Sequence, residues 1–334
     1  MPRRTVEPIP ALFNQIAAQM VGARIPGEQK VVSLFSGCGG MDLGFLGGFK
    51  FLGKAYDRLP FRIVWANDSS PSACKTYQIN LREKIHCGDL WEQMGTLPKT
   101  ADVVIGGFPC QDVSINGKRS GLMGERTSLY RAMVEVVKRV KPKVFVAENV
   151  KGLLIKDDEE PLQQIVKAFE ALEYKVSWRL YLAADYGVPQ MRTRIFIVGT
   201  SKGRRVKPFV HPEPVLSKDA WITTKAAIGD LENLPESEDF SHTWSRAKPS
   251  PEQGNRTVKP DRPADTIRAE CHGNIQFHYN QSRRISMREA ARIQSFPDNF
   301  KFACKLRETE RQVGNAVPPV LAWHIAKAIR DCLS

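Results

Sequence analysis

Short apolar runs in this chain end, one after another, in clusters of glycine, acid or amide, and helical spacing fills the gaps between them. KVVSLF (30–35) runs into SGCGG, FRIVWAND (61–68) ends on Asn67 and Asp68, and IHCGD (85–89) ends on Asp89. ADVVIGG (101–107) leads into FPCQ, and PKVFVAENV (142–150) closes on Glu148 and Asn149. Runs this short, bounded by turn residues, read as strands covered on both faces. PSACKTYQINL (71–81), TSLYRAMVEVVKRV (127–140) and PLQQIVKAFEALEY (161–174) read as helices between them. KVSWRLYLAADYGV (175–188) and RTRIFIVGT (192–200) read as a closing pair of strands. The alternation predicts an α/β fold with a doubly wound, mostly parallel sheet. Ligands of such sheets bind at the carboxyl ends of the strands, where the polar clusters lie.

After Thr200 the character changes. Residues 201–285 are rich in Pro, Lys, Arg, His and Trp, show little periodicity, and read as a second, smaller irregular domain. MREAARIQSFPDNF (287–300) begins with a short helix, and PPVLAWHIAKAIRDCL (318–333) is an amphipathic closing helix. The organisation expected is a lead-in (1–29), a ligand-binding domain (30–200), the irregular domain (201–285), an organising segment (286–311) and the closing helix (312–334). No apolar run approaches the ~20 residues of a membrane span, and no signal-peptide stretch follows the first arginines. A cytoplasmic protein is therefore expected. Seven scattered cysteines without a CxxC pair predict neither a disulfide framework nor a zinc site. The 49 basic and 36 acidic residues give +13, which suits a polyanionic partner.

Several clusters carry chemistry. Glycines after a buried strand, as in LFSGCGGMDLGF (34–45), let backbone approach a nucleotide-like ligand. The run fails as a dinucleotide fingerprint because Asp42 occupies the third glycine position, which disfavours a nucleotide-dependent oxidoreductase. Asp68 at the next strand end suits a ribose diol, and Asp89 suits an adenine amino group; alone, each reads more readily as a solvated acid or a helix cap. Together they favour an adenosine-type cofactor. Cys110 sits between Pro109 and Gln111 at the ligand-facing edge rather than within an apolar run, as a nucleophile would. The loop after it, with Gly117 and Gly121, reads as a lid. Glu148 is a candidate acid beside it. Arg192 and Arg194, at alternating strand positions, point the same way and suit a phosphate or carbonyl oxygen.

FSGCGG, ND, GD, GGFPCQ, ENV, QMRTR, REAARIQSFPD and GNAVPP follow in the order of the motifs of DNA (cytosine-5) methyltransferases, which this chain resembles over about residues 31–200 and 286–330. The resemblance implies S-adenosylmethionine (AdoMet) as cofactor and no metal. Phe35 would pack on its adenine, Gly37–Gly40 would bend round its methionine end, and Asp68 and Asp89 would bind ribose and adenine. Asn315 would line the pocket from the closing helix, folded back onto the first strand. The implied cofactor set also includes Ser36, Gly39, Gly40, Leu90 and Pro109.

The resemblance further implies Cys110 as nucleophile at C6 of a flipped-out cytosine, Glu148 at its N3 and amine, and Arg194 at its O2, with Arg192 in the same catalytic set. Arg288 and Gln294 would organise the small domain. The implied partner is double-stranded DNA, bound by a monomer, with a cognate restriction endonuclease reading the same site. Residues 201–285 fall where the family places its target recognition domain, and Arg246, Gln253, Asn255 and Arg256 suit base edges. Two departures lie outside the catalytic set: Ser69 replaces a large apolar residue, and Thr127 follows Arg126 in place of glycine. An RNA cytosine methyltransferase lacks support, because Cys271 is followed by His272 rather than the Phe-Thr of that branch. An inactive DNA-binding regulator is disfavoured by retention of Cys110, Glu148, Arg192 and Arg194.

Overall fold

The computed structural model of the protein describes residues 25, 27–108, 129–154, 160–246, 248, 256–269 and 276–334. In chain order the first part comprises β1 (Gln29–Leu34), α1 (Gly40–Leu46), β2 (Phe49–Phe51), β3 (Lys54–Tyr56), β4 (Phe61–Asp68), α2 (Pro71–Leu81), β5 (Ile85–Cys87) and α3 (Leu90–Gln93). It continues with β6 (Val103–Gly107), α4 (Leu129–Val140), β7 (Val144–Val150), α5 (Glu160–Glu170), β8 (Tyr174–Leu182), β9 (Gln190–Met191) and β10 (Thr193–Ser201). α2 starts where the sequence predicts, with Pro71 in its first turn and the Ser70 hydroxyl accepting from the Ala73 amide. The short hairpin of β2 and β3 was not among the predicted elements. Both of its strands are only three residues long, too short for a period to register.

The main sheet has the order β5-β4-β1-β6-β7-β10-β8. From β5 to β7 every pairing is parallel. Alternate residues of one strand enter different cores: Val144 and Val146 belong to one cluster, Phe145 and Ala147 to the other. That is why these strands read as unbroken apolar runs. α4 buries Ala132, Met133, Val136, Val137 and Val140 in the second cluster, a helical stripe of the predicted kind.

The closing pair departs from simple alternation. β10 lies between β7 and β8 and is antiparallel to both. Its first residues therefore reach the edge where the parallel strands end.

The remaining elements are α6 (Thr224–Ile228), β11 (Ala264–Asp265), α7 (Met287–Ile293), α8 (Leu306–Asn315) and α9 (Pro319–Leu333). Side chains bonding to backbone, rather than ladders, hold much of this part. Arg288, 1% exposed, donates to the carbonyls of Phe240, Pro297 and Phe300. Arg292 forks onto Asp298 and also donates to the Ala227 carbonyl. Such contacts leave no periodic trace, which accounts for the irregular look of 201–285.

Two expectations about the closing segment need correction. Asn315 is the last residue of α8, not part of the closing helix α9. And α9 packs on α1, the helix after the first strand, rather than on the strand itself. The reason is glycine: a Cβ on Gly44 would lie 2.4 Å from Ala322 Cβ and 2.6 Å from the Pro319 carbonyl oxygen. A Cβ on Gly40 would lie 2.4 Å from the Val317 carbonyl oxygen. Gly44 thus makes room for α9, and Gly40, one helical turn earlier, makes room for residues 316 and 317 that lead into it.

Gly44→Ala should therefore lower stability by about 1–3 kcal/mol through overpacking, because both neighbours are rigid rather than the tips of flexible side chains. Urea unfolding of the two proteins measures it; equal midpoints and slopes would refute the close crossing.

Candidate active site

The carboxyl ends of β1, β4 and β5 hold most of the residues assigned by sequence to a cofactor. After β1 the chain turns sharply: Phe35 has φ 53°, Gly37 56° and Gly39 94°, all left-handed. The Ser36 amide donates to the Asn67 carbonyl, and its hydroxyl meets that of Ser33 at 2.8 Å. A Cβ on Gly37 would meet nothing within 4 Å, so open space lies above this turn. Gly39 is hemmed in by Leu81, and Gly40 by Val317, so these two serve packing.

Asp68 is the hub. One carboxylate oxygen accepts from the Gly37 amide at 2.8 Å, the other from the Ser70 amide at 2.9 Å. Burial raises its pKa, and those two amides oppose the rise. A carboxylate has about four lone-pair sites, so each oxygen can accept once more. Asp89 is exposed and caps α3, accepting from the Trp91 amide at 2.8 Å. Leu90 is 3% exposed within the second core. Phe35 packs on that core while partly exposed. Asn315 is exposed at the end of α8. It is brought toward the glycine turn by its neighbours, since the Cys38 thiol faces the Gln312 carbonyl and Gly40 abuts Ala316.

The second group gathers at the ends of β6 and β7. Pro109, Cys110 and the loop 111–126 lie outside the described residues. Glu148 is 8% exposed and pairs with Gly107 of β6 in the ladder. A side chain at Gly107 would intrude on it: a Cβ there would stand 3.0 Å from Glu148 Oε2. In the β7–β10 register Arg194 opposes Val150 and Phe196 opposes Glu148, so Arg194 and Glu148 share a face as diagonal neighbours. Arg194 Nε lies 3.0 Å from Glu148 Oε1. Burial raises the Glu148 pKa, while Arg194 and then Arg192 hold it down. The net direction is upward from the usual carboxylate range.

Arg192 does not join Arg194 at this face. It sits between β9 and β10 and is 1% exposed, donating to the carbonyls of Ile267 and Gly314 at 3.0 Å each. The predicted strand alternation fails because residue 192 falls in the break between two strands. Asn149 is a residue whose role sequence reasoning missed. Its amide donates to the Phe108 carbonyl at 3.0 Å, fixing the chain two residues before Cys110. The partner is 41 positions away, so only the parallel register of β6 and β7 reveals it.

Gln190 and Gln294 are hydrogen-bonded to each other, and Gln294 also donates to the Ala316 carbonyl. Gln190 further accepts from the Ile267 amide at 3.0 Å. Together with β9–β11 pairing, this ties the start of β10 to segment 264–267. Of the candidate base readers, Gln253 and Asn255 lie outside the described residues. Arg256 is exposed, and Arg246 pairs with Glu236 at 2.5 Å and lies over the Trp244 ring. Trp244, Arg246 and Arg283 line an open cleft of about 550 Å³. No helix among the described residues is long and apolar enough to cross a membrane.

Comparison with known proteins gives a consistent picture. The family model for the C-5 cytosine-specific DNA methylase matches residues 29–257 and 237–331. The Type II methyltransferase M.NgoFVII of Neisseria gonorrhoeae is 37% identical, covering 92% of this chain and 88% of its own. M.FnuDI of Fusobacterium nucleatum is 35% identical, covering 91% and 95%. The crystal structure of a mutant DNMT2 of Spodoptera frugiperda aligns with TM-score 0.65 at 16% identity, over 90% of this chain and 99% of that one. The last likeness speaks to the fold alone.

Asp42, the residue that spoils the dinucleotide fingerprint, is fully buried under the glycine turn and accepts from the Tyr77 hydroxyl at 2.8 Å. Burial lifts its pKa from 3.8 to about 6. A raised carboxyl favours the folded state when protonated, so its contribution is complete below about pH 4 and lost as pH rises through about 6. Relative to Asp42→Asn, the wild type should therefore lose up to about 3 kcal/mol between those limits. Denaturant titrations at several pH values measure this; parallel pH profiles for the two proteins would contradict it.

Proposed function

The chain belongs to the C-5 cytosine-specific DNA methylase family and is a DNA cytosine methyltransferase, and we propose that it methylates C5 of a cytosine flipped out of double-stranded DNA, using AdoMet and a covalent bond from Cys110 to C6. The observation that carries this reading is the Glu148–Arg194 pair, held beside Gly107 at the end of the strand that leads to Cys110. The cofactor fits the residues present: the open turn at Gly37, the spare lone pairs of Asp68 and the exposed Asp89 and Asn315 offer contacts for an adenosine and an amino acid moiety. Bound there, it supplies an electrophilic methyl group on a sulfonium.

The protein must make C5 of an aromatic ring nucleophilic. The Cys110 thiolate adds to C6, and the electrons of the C5–C6 double bond pass to C5, with charge spread over N3 and O2. Glu148 would meet N3 and the exocyclic amine, and Arg194 would meet O2, stabilising charge that is largest during the addition. Once C5 carries the methyl group, loss of its proton restores the double bond and expels the thiolate. The ring atoms are out of reach inside a duplex, so the base must leave the stack. Arg192 is not in contact with this face, and we remove it from the catalytic set. On the same reading the chain works as a cytoplasmic monomer on DNA. Residues 201–285 select the site, shared with a restriction endonuclease, as the Type II names of its relatives suggest.

Two substitutions test this. Cys110→Ser should abolish transfer of a labelled methyl group from AdoMet to DNA while leaving DNA binding intact, because a hydroxyl is far less ionised than a thiol. Bisulfite sequencing of the product locates the mark, and near wild-type methylation by this variant would overturn the covalent route. Gly107→Ala should keep the fold yet slow methyl transfer by about 10-fold or more, because a displacement of some tenths of an ångström at Glu148 is costly in a preorganised site. An unchanged single-turnover rate would remove Glu148 from the reaction.

A further inference from the structure

β5 is an edge strand of the sheet, three residues long, and its ladder with β4 ends at the pair Asp68 and Cys87. Asp89 therefore lies beyond the last rung. Its side chain is exposed, and so is that of Cys87, so packing does little to place it. On its other side Leu90 is anchored in the second core. Between them stands the peptide of Gly88, a residue with no side chain of its own. Its amide donates to the Asp68 carbonyl at 3.0 Å, and its carbonyl accepts from the Asn67 side-chain amide, also at 3.0 Å. The same Asn67 nitrogen donates to the His86 carbonyl at 2.7 Å.

Asn67 and Asp68 share this work crosswise, because β4 lies between β5 and β1. Toward β1, the main-chain carbonyl of Asn67 accepts from the Ser36 amide at 2.9 Å, and the carboxylate of Asp68 accepts from the Gly37 amide. Toward β5 the roles exchange: Asn67 uses its side chain and Asp68 its main chain. A side-chain change at 67 thus keeps the tie to the glycine turn and removes only the tie to the end of β5. The position is demanding. Asn67 is 1% exposed, and two carbonyls converge on one of its atoms, which must present two donors. A carboxylate of the same size has none. Carbonyls at so exposed an edge could be satisfied by water alone. A buried amide instead fixes the direction of the Gly88 peptide, and with it the start of α3 that Asp89 caps.

We propose that Asn67 is a positioning residue for recognition of the adenine amino group: by holding the Gly88 carbonyl it sets where the Asp89 carboxylate stands, and it acts on the ligand only through Asp89. This rests on the reading of Asp89 as the acceptor for that amino group. Asp89 gives one oxygen to the Trp91 amide and has lone pairs left for a ligand. A hydrogen bond weakens steeply with poor distance and angle, so a carboxylate on an untethered turn forfeits most of its discrimination. The ribose side, held through Asp68 and Gly37, keeps its own bonds. Loss of the Asn67 amide should therefore strike one end of the ligand selectively.

The test compares two ligands and needs no turnover. One is the thioether left when AdoMet gives up its methyl group; the other is the same molecule with hydrogen in place of the adenine amino group. Calorimetry gives their Kd values for the wild type, Asp89→Ala, Asn67→Leu and the two substitutions combined. The wild type should prefer the amino-bearing ligand by about 10-fold or more, the worth of one hydrogen bond to a charged group. Asn67→Leu, similar in size but without donors, should cut that preference below about 3-fold while binding the amino-less ligand within about 2-fold of wild type. Added to Asp89→Ala, it should change the preference no further, because both act through one contact. A preference kept in Asn67→Leu but lost in Asp89→Ala would overturn the role of Asn67 alone. Equal weakening of both ligands would overturn it too, since a merely structural residue acts that way. No preference in the wild type, or one that survives Asp89→Ala, would remove the reading of Asp89 and the proposal with it. Should Asn67→Leu fail to fold, Gly88→Ala takes its place: at φ 142° an added Cβ strains the same peptide and turns its carbonyl away from Asn67. Selective loss of the amino preference there supports the proposal, and an unchanged preference overturns it.

Discussion

Placing one antiparallel strand between two parallel-running neighbours is the constraint on which the site depends. Had β10 continued the parallel order, Arg194 would have begun its strand at the opposite edge of the sheet, far from the ends of β6 and β7. Reversed, it enters the sheet where β7 leaves it, and the diagonal of the ladder puts Arg194 on Glu148 at 3.0 Å. Burial makes that contact matter, since desolvation penalises both charged forms and each partner offsets part of the cost of burying the other.

Glycine does the complementary work of making room. Gly107 leaves the space into which Glu148 extends, and Gly37 leaves the turn after β1 open to a ligand. Gly40 and Gly44 do something different although they belong to the same motif: Gly44 lets α9 sink onto α1, and Gly40 admits the residues just before α9. One glycine-rich run thus serves both ligand approach and the docking of the chain's closing helix. The end of α8 is brought to the mouth of the glycine turn after β1 by the same packing, through Gly40 against Ala316 and Cys38 against Gln312.

Much of the polar interior of the second half answers to backbone as well as to other side chains. Arg192, Arg288 and Gln294 all donate to carbonyls that no ladder satisfies. Irregular backbone cannot be buried without such partners. An irregular segment can therefore be attached firmly to a regular sheet while leaving an open cleft at Trp244 on its surface.

The sheet strands and the three helices predicted between them were legible because burial on both faces, or on one helical stripe, writes a period into the residues themselves. Val144–Val150 and Leu129–Val140 carry that pattern without reference to anything distant. The candidate residues Asp68, Glu148 and Arg194 were legible for a related reason, since polar groups ending apolar runs must face the edge where the strands stop. What the sequence could not contain was any relation across the chain. It placed Arg192 beside Arg194 by counting twos, whereas a strand break at 192 sends its side chain to Ile267 and Gly314. It assigned Asn315 to the closing helix, whereas α8 claims it. It had no means of pairing Asn149 with the carbonyl of Phe108. Local composition and period determined the elements and the kinds of chemistry at their ends; register, strand reversal and the approach of α9 decided which of those groups meet, because those depend on contacts between residues far apart in the chain.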